Sequence, residues 1–188
     1  TIAANLLAAT ELRGLRALNL VNNAPPPRFW IELADAPQFT RLQYLGIGKS
    51  KFNAAAASAL ARSPLSSTVT TLTIHGATFA GDCARTFFDG AWPQLRILEC
   101  VGVKSPAGAI HDAVAAAHQI TDLQQLVWKG VDGAGSGFGR LLSGPRFGSL
   151  RHIHLSGPQL EQSCLDVIAD SGYLTHRERL STFEEAYA

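Results

Sequence analysis

A chain of 188 residues, 46% hydrophobic and only 16% charged, can bury a core without metal or disulfide staples. Its 16 Lys+Arg against 15 Asp+Glu leave a formal net charge of +1, so bulk charge gives no reason to expect a nucleic acid partner. The apolar content excludes disorder as the whole-chain state, and no apolar run nears the ~20 residues that a membrane-spanning helix needs.

The chain opens at Thr1 and contains no Met, which reads as a piece of a longer protein. Ile2 to Ala9 predicts a helix. Leu15 then begins the phrase LRALNLVNN, followed by a stiff connector at Pro25-Pro26-Pro27. LQYLGIGKS begins at Leu42. After it, Asn53 to Arg62 reads NAAAASALAR, rich in the best helix former and stopped by Ser63-Pro64. VTTLTIHGA follows from Val69, then a helix opening at Gly81 or Asp82, carrying Phe87 and Phe88 and ending near Asp89-Gly90. LRILECVGV begins at Leu95. Ser105-Pro106 predicts an N-cap, with Ile110, Val114 and Ala117 at helical spacing behind it. LQQLVWKGV begins at Leu123, and a glycine-rich loop over 133–139 leads to a short Phe138 to Leu142 turn. LRHIHLSGP begins at Leu150, and Leu160, Cys164, Val167 and Ile168 mark one more apolar stripe, closed by Gly172. The next phrase is due near Arg177 and is missing. Leu180, Phe183 and Tyr187 instead stand at helical spacing, so residues 175–188 are expected to be a C-terminal cap or tail.

The six phrases start 27, 27, 26, 28 and 27 residues apart. Within each, positions one, four and six are apolar, and positions four and six have the period of a strand with one buried face. Trp128 at position six is predicted to lie between the strands and the helix layer. A strand and a helix every ~27 residues cannot bury their apolar faces alone; stacking successive units closes a common core.

These LxxLxL phrases resemble the leucine-rich repeat family, in its longer, helix-containing subclass typified by ribonuclease inhibitor. The resemblance covers Leu15 to Gly172. It implies an α/β solenoid over residues 1–174, with parallel strands on a concave face and helices on the convex one. Three repeats have the apolar residue expected two places after the phrase: Phe52, Phe79 and Leu160. The family's asparagine at position nine is met only by Asn23; Gly76, Gly102, Gly130 and Gly157 at position eight supply the bend instead.

Two glycine-rich segments imitate nucleotide loops. Gly46-Ile47-Gly48-Lys49-Ser50 follows a strand, but the full phosphate-binding motif needs glycine where Gln43 stands. The 133–139 loop fits GxGxxG in neither register and is not GxSxG. His111 and His118 are seven apart on one helix, too far to share a metal, and the His152/His154 pair has no third ligand near it in sequence. Cys83, Cys100 and Cys164 form no CxxC, and no Asn-x-Ser/Thr sequon occurs; both absences point to an intracellular protein, cytoplasmic or nuclear. No nucleophile stands with a base and an orienting acid, so no enzyme, metal, cofactor, small-molecule substrate or membrane role is expected.

Phrase positions three, five and seven alternate with the buried ones and mix apolar with polar side chains, which suits a protein surface. The candidate partner-binding residues are Tyr44, Thr73, His75, Ile97, Glu99, Gln125, Lys129, His152 and His154. The expected function is recognition of a partner protein on this face. F-box-type substrate receptors and nucleotide-binding receptors carry similar repeats. The alternative is a structural subunit or spacer within a larger assembly.

Overall fold

A computed structural model describes residues 2–89, 91–106, 109–131, 141, 148–156 and 179–183. The phrases become strands: β1 Ala17–Asn19, β2 Tyr44–Ile47, β4 Thr71–His75, β6 Ile97–Val101, β7 Gln125–Lys129 and β8 His152–Ser156. Two short strands, β3 Lys51–Phe52 and β5 Thr78–Phe79, pair separately. The helices are α1 Ile2–Ala8, α2 Pro27–Asp35, α3 Ala54–Arg62, α4 Cys83–Phe88 and α5 Ala109–Ala116. The result is a mixed α/β fold with a parallel sheet in the order β1-β2-β4-β6-β7-β8-β9, where β9 is Arg179–Phe183.

The repeat sets the register. Ala17 pairs with Tyr44, Tyr44 with Thr71, Thr71 with Ile97, Ile97 with Gln125 and Gln125 with His152. Equivalent phrase positions therefore lie side by side. Leu45, Leu72, Leu98 and Leu126 at position four are fully buried, as are Ile47, Ile74 and Cys100 at position six. A one-residue slip would turn every one of these to the opposite face, so the apolar pattern enforces the pairing.

Two expectations are corrected. The helical spacing read at Leu180 and Phe183 gives way to strand β9, which extends the sheet one further step by pairing Arg179 with His152. Pro25 to Pro27 is not all connector. Pro26 is extended and Pro27 opens α2, where proline's missing N–H costs nothing and its fixed φ suits the first turn. The stripe at 160–168 and the 133–139 loop lie outside the described residues.

Helix ends follow local chemistry. The Asn53 side chain accepts from Ala56 N at 2.9 Å and caps α3. At its far end the buried Ser63 hydroxyl donates to Ala34 O at 2.6 Å, tying α3 to the end of α2. Ser105, expected as a cap, accepts from Ile110 N at 3.2 Å.

Between the helices and the short β3–β5 pair lies an aromatic layer. Trp30 stacks on Phe52 at 5.6 Å and Phe52 on Phe79 at 5.0 Å, with Phe87 packed edge-on against both phenylalanines. Trp92 joins Phe87 at 5.0 Å. Trp92 adopts φ 66°, a left-handed conformation that costs a bulky residue roughly 1–3 kcal/mol. Its complete burial and the hydrogen bond from its indole Nε1 to Phe87 O at 2.9 Å offset that cost.

Candidate interaction face

On each strand, positions three, five and seven point away from the helices. The parallel register gathers them into rows. One row is Tyr44, Thr71, Ile97, Gln125 and His152; the next is Thr73, Glu99, Val127 and His154; the third is His75, Val101, Lys129 and Ser156.

Tyr44, His75, Ile97, Glu99, Gln125, Lys129, His152 and His154 are all half-buried, as flanking ladders dictate for side chains standing on a sheet. Thr73 is different. It is only 4% exposed, and its in-row neighbour one strand beyond Glu99, Val127, is 8% exposed. Glu99 therefore rises between two closed positions. His75 Nε2 meets Glu99 Oε1 at 3.2 Å, each side chain about one-third exposed at 32% and 33%. At that exposure the pair orients two side chains more than it stabilises the fold.

The β2 end of the face is covered. Asn19 Oδ1 accepts from Val21 N at 3.0 Å, closing a turn that runs across the glycines of β2. A Cβ on Gly46 would meet Asn19 Oδ1 at 2.6 Å. One on Gly48 would collide with the carbonyl oxygens of Leu20, Val21 and Asn23. The glycines that imitate a phosphate loop are thus explained by close backbone approach. Ser50 is buried and Lys49 exposed, so the segment forms no cradle.

Beneath the face, the Cys100 thiol is pushed well above its ordinary range by burial, with the Glu99 carboxylate adding to the effect. It stays a protonated, inert core thiol. Cys83 is likewise buried and free.

A scan against protein-family models finds no match, and neither does a search of the curated proteins.

One polar contact escaped the sequence reading. His111 is fully buried on α5, and its Nε2 accepts from Trp128 Nε1 at 2.9 Å. An indole N–H can only donate, so this imidazole nitrogen carries a lone pair. The available signal was position: His111 lies beside Ile110 and three residues before Val114, on the face that α5 buries. Among the described residues no three His, Cys, Asp or Glu side chains gather as a metal site would require, and no helix is long and apolar enough to cross a membrane.

Proposed function

We propose that the chain is a leucine-rich-repeat-type solenoid that recognises a partner protein on the open face of its sheet, without catalysis, cofactor or metal. The observation that supports this reading is the register. Strands recurring every 26–28 residues bury the same phrase positions, and the opposite positions present a row of unlike side chains. Unlike neighbours on a rigid, regularly spaced surface give specificity at little ordering cost. Tyr44, Ile97, Glu99, Lys129 and the two histidines of β8 supply the size and charge that anchor contacts. Intracellular placement belongs to the same proposal.

The test replaces Tyr44, Glu99 and His154 with Ala and Lys129 with Glu in one variant. Half-buried surface changes of this kind shift stability by about 0.5 kcal/mol each. Proteins retained by the native chain should be lost from the variant while its melting point stays near native. Hydrogen-exchange protection on binding should fall on β2, β4, β6, β7 and β8. The same proteins retained equally by both, with protection confined to the helices, would instead identify a structural subunit.

A further inference from the structure

The chain has only four lysines: Lys49, Lys51, Lys104 and Lys129. The fold brings all four to one edge, where the main strands end and the connections to the helices begin. Lys49 lies two residues past β2, Lys51 opens β3, and Lys129 closes β7. Lys51 pairs with Thr78, and Thr78 bridges to Lys104, so these three form a row across the edge. Two strand spacings put Lys51 and Lys104 roughly 10 Å apart. Lys49 reaches over the neighbouring bend, since a Cβ on Gly76 would meet its Cγ at 3.2 Å.

Lys49, Lys51 and Lys104 are exposed and Lys129 half-buried. The acid–base contacts Arg28–Glu32, His75–Glu99 and Arg96–Asp122 include no lysine. The described carboxylates at this edge include Asp82, just before α4, and Asp112, in the first turn of α5. Helices α2, α3 and α5 all begin here, and the positive ends of their dipoles add to the field. Five arginines behave differently: Arg13, Arg16, Arg41, Arg96 and Arg151 precede strands and lie at the opposite edge.

We propose that the lysine edge binds an acidic, extended peptide segment of a partner protein. Ammonium groups on flexible stems attract carboxylates without demanding one geometry. An extended polyproline II backbone rises ~3.1 Å per residue with three residues per turn, so acidic side chains three residues apart face the same way about 9 Å apart, close to the spacing of Lys51 and Lys104. Arg28 in the first turn of α2 contacts Glu32, and Arg85 in the first turn of α4 shares a hollow with Asp82 and Asp112, while among the described residues this edge offers no exposed aromatic ring for base stacking, which disfavours single-stranded nucleic acid. The surface is separate from the open sheet face and meets it at Lys129.

The experiment titrates the full chain against a labelled oligoglutamate peptide at low ionic strength, following fluorescence anisotropy. Changing Lys49, Lys51 and Lys104 together to Glu should weaken binding by about tenfold or more. Changing Arg13, Arg16 and Arg41 to Glu alters net charge equally at the opposite edge and should cost less than about threefold. If the lysine variant does not fold, as judged by circular dichroism, the Lys→Gln triple replaces it, with a weaker loss in the same direction. Equal losses in the lysine and arginine variants would reduce the effect to net charge and overturn the proposal. So would undetectable peptide binding, or tighter binding of oligothymidylate or anionic vesicles than of oligoglutamate.

Discussion

Trp128→Ala is expected to cost about 3–5 kcal/mol, read as a lowered urea midpoint. The side chain is 3% exposed and packs against His111 at 5.0 Å, so truncation removes a large buried ring and strands a polar partner. The hydrogen bond can be isolated. Trp128→Phe keeps most of the volume and leaves His111 Nε2 without its donor; His111→Phe leaves the indole N–H unsatisfied. Each should cost about 1–3 kcal/mol. The double replacement should cost less than the two single costs combined, because it leaves neither polar group orphaned. Strict additivity would show that the contact contributes nothing.

Gly48→Ala should also be strongly destabilising. Overpacking costs about 1–3 kcal/mol, and this site belongs at the upper end because the colliding atoms are backbone carbonyls rather than flexible side-chain tips. Gly14→Ala is the matched control, since nothing lies within 4 Å of its added methyl. Gly14→Ala should leave the midpoint near native. Equal shifts in the two variants would show that the Leu20–Asn23 turn does not rest on the end of β2.

The strands and their pairing were legible because each phrase spends its apolar residues at fixed positions, and parallel pairing then leaves one register. β9 was not legible: Arg177 stands where the phrase needs an apolar residue, and Thr182 fills position six. Alternation alone correctly placed Tyr44, His75, Ile97, Glu99, Gln125, Lys129, His152 and His154 on half-buried positions of one face. It failed for Gly46, Gly48 and Thr73, since alternation gives the direction of a residue and not what lies over it. A turn from the preceding unit covers the two glycines. Trp92 and α2 were missed for a related reason. The positive φ of Trp92 is held by surrounding packing, and local propensity carries no trace of it. The triple proline masked a helix that its own last member begins.

The order of the main sheet follows the order of the chain, so within the sheet each strand pairs only with the strands one step before and after it. That arrangement has a mechanical consequence. Tension applied between the termini cannot load the whole sheet at once; it reaches an outermost strand first. Detaching that strand frees one segment of about 27 residues, close to 90 Å of contour length. The molecule should therefore lengthen under force as a ratchet, in near-equal increments, and an interrupted pull should reclose from the strands still standing.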